Sequence, residues 1–382
     1  MTIQLLVTDE NLAVQGDPIA GWTSVDATRR FNEPASGTVE LPATPEVMAQ
    51  LQPGNRLVVI RDGQIWMAGP MEIPTDYSWS VGAGVGTVTV SFSDDLAVLA
   101  GYITWPAPAS AWTAQPARDY RLFRGFNTEA IVRTIVNETC GPGALTVRRI
   151  PNLALAPAAG IGVTWAVKTR FEPLLEFCRR VSVFGGLGFR TAQSGGQILF
   201  ETYAPADKTG TARFSVGLGN LRSVQYKQSA PTATHVLVAG TEPDSGTTRT
   251  YLERSDTGAA ATWWRVEKYL DGAADTDADG ELTTAGSTEL AESGATVELA
   301  TVTVDTEGLR AGVDYGLGDR VTVALPHGLE VTEVVRSIHL QATPDSGEYV
   351  SAVIGSPAAT TDPQMVRLVR TLTRRLGRLE AR

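Results

Sequence analysis

Apolar and polar residues alternate with period two along much of the chain, in short runs separated by glycine, proline and aspartate. Gly86-Thr87-Val88-Thr89-Val90-Ser91-Phe92 puts Val88, Val90 and Phe92 on one face, the pattern of a half-buried strand. Ile3-Gln4-Leu5-Leu6-Val7 and Gly37-Thr38-Val39-Glu40-Leu41 read as strands as well. Residues 56–60 and 64–69 form a predicted hairpin through Arg61-Asp62-Gly63, because Asp-Gly supplies the positive φ angles of a tight turn. A short helix over 45–51 starts at Thr44 as cap, with Pro45 in the first helical position.

From Tyr102 to Phe126 the periodicity gives way to a proline- and aromatic-rich stretch holding Trp105, Trp112, Tyr120 and Phe123. Such a stretch is either an interaction loop or, more commonly, a long loop pinned by its own aromatic side chains. Helical spacing follows. Asn127 caps a predicted helix to Glu138, with Ile131/Ile135 and Val132/Val136 one turn apart and Cys140-Gly141-Pro142-Gly143 as the stop. Thr169-Arg170-Phe171-Glu172 has the form of a capping box ahead of Leu174, Leu175, Cys178 and Val181. A hairpin over 189–201 turns at Ser194-Gly195-Gly196, and 280–293 is a helix or loop. Strands return at 224–226, 234–239, 264–267, 297–302, 320–323 and 329–334. The expected class is mainly β with an α/β lobe, an α+β arrangement. Its segments are a β-rich unit at 1–100, a two-helix lobe at 101–210, a second β-rich region at 211–356 with an acidic insertion near 241–300, and a linker and helix at 357–382.

Composition agrees: 38 glycines and 21 prolines in 382 residues suit many short strands and turns. No apolar run approaches the roughly 20 residues needed to cross a bilayer, and Met1-Thr2-Ile3-Gln4 lacks the basic and apolar regions of a signal peptide, so a soluble protein made in a cytoplasm is expected. Cys140 and Cys178 stand outside any C-x-x-C or Cys/His spacing and read as buried apolar residues. The net charge of −10 is uneven, with seventeen acidic against six basic residues over 241–320, and six arginines against Glu380 over 363–382. An acidic body disfavours specific nucleic-acid binding, which needs Lys/Arg stripes.

Catalytic motifs are lacking: there is no G-x-S-x-G, H-E-x-x-H, P-loop or G-x-G-x-x-G. His235 and His339 lie in strand patterns and His327 follows Pro326 in a turn, so no catalytic residue and no cofactor is assigned. Asp275-Thr276-Asp277-Ala278-Asp279-Gly280 matches the opening of a calcium loop, with Asp275, Asp277 and Asp279 as the ligands. The bidentate Glu of the twelfth position is Gly286 here, so a solvated acidic turn without metal is the plainer reading.

The most regular pattern lies at the end of the sequence. Asp362 is an N-cap, Pro363 fits the first helical position, and Met365, Val369, Leu372, Leu376 and Leu379 follow a 4-3-4-3 spacing. Arg367, Arg370, Arg374, Arg375 and Arg378 cover much of the remaining surface. Isolated, such a helix of about 20 residues is marginal, so its stripe calls for burial against copies of itself or another protein. Docking back on its own domain is the alternative, against which the linker 356–361 argues, and a membrane-surface helix would need a wider aromatic face.

In order and in short phrases the segments resemble the minor tail or baseplate hub proteins of long-tailed, siphovirus-like bacteriophages, a family similar to the central hub of contractile-tail baseplates. The phrases are Trp22 to Val25, Arg30 to Pro42, Arg61 to Pro70, Gly125 to Asn137, Thr234 to Gly240 and, most family-like, Tyr315-Gly316-Leu317-Gly318-Asp319-Arg320-Val321-Thr322-Val323. The resemblance implies a non-enzymatic virion protein at the tail tip. It implies a homotrimer in which each chain gives two tail-tube-like β-barrel or sandwich domains to a ring continuing the tail tube, with the lobe outside and acidic regions facing a channel for DNA ejection. It also implies distal tail protein, tape-measure protein and central-fibre or other tip proteins as partners. The family often carries further C-terminal enzymatic or receptor-binding modules, and this sequence has a single helix there. A β-rich carbohydrate-binding or carbohydrate-processing protein, using some of the eight tryptophans as sugar platforms, is the competing reading.

Overall fold

In the computed structural model, which describes residues 3–72, 76–80, 84–116, 119–241, 249–271, 277 and 280–355, the chain opens with a β-rich run. It comprises β1 (Ile3–Thr8), β2 (Ser24–Arg30), β3 (Glu33–Pro42), α1 (Pro45–Gln50), β4 (Arg56–Arg61), β5 (Gln64–Pro70), β6 (Asp76–Ser78), β7 (Thr87–Ser93) and α2 (Leu96–Ala100). The expected hairpin is β4/β5, with Asp62 at φ 51° and Gly63 at φ 76°. Thr44 caps α1, its hydroxyl accepting from Val47 N at 3.3 Å.

The lobe follows as β8 (Arg121–Asn127), α3 (Thr128–Thr139), β9 (Leu153–Leu155), β10 (Thr164–Thr169), α4 (Leu174–Gly185), β11 (Gly188–Ser194) and β12 (Gln197–Tyr203). The Asn127 side chain accepts from Ala130 N at 2.8 Å, so α3 begins where its cap predicts. The box at Thr169 does not cap α4: Thr169 ends β10, its hydroxyl lies 2.7 Å from that of Thr104, and Phe171 takes φ 53°, which no helix continues. α4 starts instead behind Pro173 and ends on Gly186 in the left-handed conformation. Ile131, Ile135, Phe177, Cys178 and Val181 of the two helices join Phe189 and Phe200 of β11 and β12 in the lobe core.

The last part contains β13 (Arg213–Ser215), β14 (Leu221–Ser229), β15 (His235–Ala239), β16 (Tyr251–Ser255), α5 (Thr257–Thr262), β17 (Glu267–Asp271), α6 (Glu281–Glu292), β18 (Thr296–Thr303), β19 (Arg320–Ala324), β20 (Glu330–Thr343) and β21 (Gly347–Ile354). The strand expected over 264–267 begins only at Glu267, because Trp263 closes α5. One sheet in the order β13-β19-β20-β2-β3-β7-β6, with β21 also on β20, joins strands from both ends of the sequence. The segments 1–100 and 211–356 thus share a sheet and a continuous core that includes Leu5, Val39, Phe92, Phe214, Val323 and Leu340. Among the described residues no sheet closes into a barrel.

β20 reaches two sheet halves by a bulge. Its first residues pair with β19, a register shift follows between Val335 and Ser337, and 337–342 then pair with β2. β21 lies on the other edge of β20, and its outward edge is closed by side chains of β18. The Thr303 hydroxyl accepts from Ala352 N at 2.8 Å and lies 3.3 Å from Ala352 O, while Thr301 Oγ1 accepts from Ile354 N at 3.2 Å. Buried hydroxyls here stand in for the backbone of a missing strand.

Thr303→Val keeps the shape but orphans the Ala352 amide, so urea unfolding should show a loss of about 1–3 kcal/mol. A midpoint equal to the wild type's would show that the edge is not held this way.

Candidate functional site

The body and the lobe meet at a joint built of buried polar groups. β2 and β3 are linked by a turn in which Asn32 takes φ 57°, a conformation asparagine tolerates better than most residues. Its buried side chain reaches into the lobe, donating to Leu187 O at 3.0 Å and accepting from Phe189 N at 2.7 Å. Beside it Glu33 meets Arg179 of α4 at 2.7 Å. On the other side Tyr203 donates to Leu317 O at 3.1 Å, and Asp319 accepts from Ala206 N and from Gly316 N, each at 2.8 Å. Gly318 sits at φ 86° against the Phe31 ring, with no room for a Cβ. The Gly318-Asp319 phrase therefore serves the joint as well as the lead-in to β19.

Beneath the joint, Arg29 and Arg61 both lie over the Trp66 ring, at 4.8 and 5.1 Å from its centroid. Arg56 pairs with Asp95 at 2.7 Å, both buried, at the start of α2. Asp94 is pushed up to about 7, chiefly by burial and further by Asp95, against the pull of the Ala35 and Leu96 amides and Arg29.

Within the lobe Glu129 is 1% exposed at the first turn of α3. Burial would raise its pKa, but hydrogen bonds from Ala159 N, Ile161 N and the Thr202 hydroxyl, at 2.8–2.9 Å, outweigh this and hold it below the usual carboxylate range. The aromatic stretch after Tyr102 is pinned down in part by its own rings: Arg148 lies 3.9 Å from the Trp105 centroid and 5.8 Å from that of Tyr102. The Gln115 amide ties the same loop to Ala107, Ser110 and Ala111, and Trp112 stands out at 74% exposed.

The residues singled out in the sequence are scattered. Asp277 accepts from Thr283 N at 2.9 Å and bonds its hydroxyl, which anchors the first turn of α6; Asp275 and Asp279 lie outside the described residues. The whole stripe of Met365, Val369, Leu372, Leu376 and Leu379, with Arg367, Arg370, Arg374, Arg375 and Arg378, also lies outside them. His339 pairs with Asp26 at 2.8 Å across β20 and β2, and His235 lies 3.1 Å from the Thr234 hydroxyl. Among the described residues no three His, Cys, Asp or Glu side chains are grouped to hold a metal. Burial pushes the Cys140 thiol up to about 12 and Cys178 well above its ordinary value, which suits neither to nucleophilic work. No helix among the described residues is long and apolar enough to cross a membrane. The arrangement positions bodies relative to one another, and sequence reasoning missed it because its contacts join residues as far apart as Asn32 and Phe189.

A family profile described as Siphovirus ReqiPepy6 Gp37-like protein matches residues 3–356. Solved structures share the fold along nearly their whole length. The 43 kDa tail protein of prophage MuSo2 from Shewanella oneidensis is 14% identical, with a TM-score of 0.58 over 93% of this chain and 98% of that one. The tail protein from Neisseria meningitidis MC58 is 14% identical, with a TM-score of 0.57 over 93% and 97%. Prophage tail protein gp18 from Listeria monocytogenes EGD-e is 10% identical, with a TM-score of 0.57 over 97% and 99%. At such identities the likeness is one of fold. No curated protein sequence matches the chain.

The joint carries a pH signature. Because the folded-state pKa of Asp94 lies above its ordinary 3.8, its contribution to stability is complete below about 4 and is lost as the pH rises through about 7. Asp94→Asn should flatten the fall of melting temperature between pH 5 and 8 and raise it at pH 8. An unchanged slope would mean that Asp94 titrates normally.

Proposed function

The chain belongs to the Siphovirus ReqiPepy6 Gp37-like family, and on that footing we propose that it is a structural protein of a phage tail, placed at the tail tip as a hub. The observation that carries this reading is the fold shared from end to end with tail proteins of three bacterial sources, across 93–97% of this chain.

Three copies form a ring that continues the tail tube, and each contributes the mixed sheet built around β20. Open strands support this arrangement. The body sheet ends on β6 and β13, three residues each, and among the described residues β14 pairs only with β18 while Arg222, Ser223, Gln225, Lys227 and Gln228 face solvent. The nine-residue β14 edge can be completed by a strand of a neighbouring copy, and a head-to-tail contact of that kind closes into a ring. The lobe, held at its fixed angle by the Asn32 joint, stands outside the ring. Distal tail protein, tape-measure protein and a central fibre are the neighbours of such a hub, and DNA passes through it without specific contacts.

Light scattering on the purified full chain should give three times the 40.6 kDa of one chain, with rings in negative-stain images. A strict monomer that binds polysaccharide would overturn the hub and favour a carbohydrate-binding protein.

A further inference from the structure

Between β14 and β18 the chain makes an excursion with its own small core of Ala233, Val236, Val238 and Leu282. Its sheet has the order β16-β15-β17, and β17 runs parallel to β15. α6 covers one face: Val236 and Val238 are buried, and a Cβ on Gly286 would lie 2.7 Å from Val238 Cγ2. Among the described residues nothing covers the other face. Leu237, Tyr251 and Tyr269 stand on it at 43%, 56% and 51% exposed, and the strand register sets Glu253, Glu267 and Asp271 on the same side.

A strand with one solvated face ordinarily alternates apolar with polar residues, whereas one covered on both faces is apolar throughout. β15, with the sequence His-Val-Leu-Val-Ala, has that composition. Among the described residues its Leu237 side has no second layer.

We propose that this layer is the chain's own C-terminal segment, residues 362–382, laid across the open face as an amphipathic helix. The first support is where the described chain leaves off. β21 runs antiparallel to β18, with Ala352 beside Thr303, Ile354 beside Thr301, and Gly355 so close to Leu299 that a Cβ on it would lie 2.7 Å from Leu299 Cβ. The chain therefore leaves Gly355 heading toward Thr296, and Ser293, three residues further back, accepts from Thr232 and Ala233 at the base of the excursion. The second is length: the linker, which in the sequence alone argues against docking on the same chain, is long enough to carry the helix back onto this face. Seven residues, 356–362, reach about 23 Å when extended. The face is about 10 Å wide between outer strands and five residues, about 17 Å, long. A helix of 20 residues spans about 30 Å and is about 10 Å thick, enough to roof it.

The third support is charge. Residues 231–294 hold twelve acidic against four basic side chains, while 363–382 carry six arginines and one glutamate. With Met365, Val369, Leu372 and Leu376 turned onto Leu237 and the two tyrosines, the flanking arginines come to the acidic rim. There Arg265 already bridges Glu253 and Glu267, and Arg249 pairs with Asp271.

Two measurements on the full chain test this. Hydroxyl-radical footprinting should label Tyr251 and Tyr269 several-fold more in the Leu372→Glu/Leu376→Glu variant than in the wild type; equal labelling overturns the proposal. Leu237→Cys combined with Leu372→Cys should oxidise to a disulfide within one chain, since Cys140 and Cys178 are fully buried and do not compete. A disulfide formed only between chains, at every dilution, would assign the stripe to a second copy and overturn it as well.

Discussion

The central constraint is that β20 must satisfy its backbone along both edges while serving two sheet halves that point in different directions. A buried strand cannot leave N–H and C=O groups unpaired without a cost of about 1–3 kcal/mol each. Fourteen residues meet that demand by pairing with β19, then with β2 on the same side beyond the bulge, and with β21 along the opposite side. The bulge near Arg336 lets one strand turn the corner, so the core of the first hundred residues and that of the last part become continuous. Threonine hydroxyls of β18 then finish the outer edge of β21, and β14 with β18 forms a second layer over the core.

Holding the lobe is a different problem. The joint relies on directional contacts: Asn32 to the backbone on either side of Gly188, Asp319 to Ala206, and Tyr203 to Leu317. Buried hydrogen bonds of this sort add modest net stability but admit few orientations, because any other angle leaves them unmade. In the ring we propose, a lobe that must project at a set angle would gain from that selectivity. The buried Asp94 beside the joint is the price of packing a turn tightly against β3, and it leaves this region sensitive to pH.

Elements fixed by local chemistry were legible in the sequence. The β4/β5 hairpin follows from Asp62-Gly63, α3 from Asn127 and its apolar spacing, and α1 from Thr44-Pro45. Where tertiary contacts override local signals, the local sequence does not reveal the structure. Thr169 and Glu172 have the spacing of a cap, yet Thr104 claims the Thr169 hydroxyl for the end of a strand. Only the first part of β20 was read as a strand run, since the bulge interrupts its alternation. The joint was illegible altogether, because Asn32 and Phe189 come together only in the folded chain. The resemblance to tail proteins survived these local errors because it rested on the order of segments.

β2 and β20 are joined by His339 and Asp26, 313 residues apart in the chain. A ribosome adding about 5–20 residues per second needs on the order of 15–60 s to make the second partner after the first. Through that interval the edge of β2 that will receive β20 stays bare, although β3 is already available on the other side. The lobe, whose sheets and core are drawn from a contiguous stretch, can fold meanwhile. Assembly of the body therefore waits until β20 and β21 have been made, and crowded nascent chains are exposed to wrong pairing at the β2 edge throughout that interval.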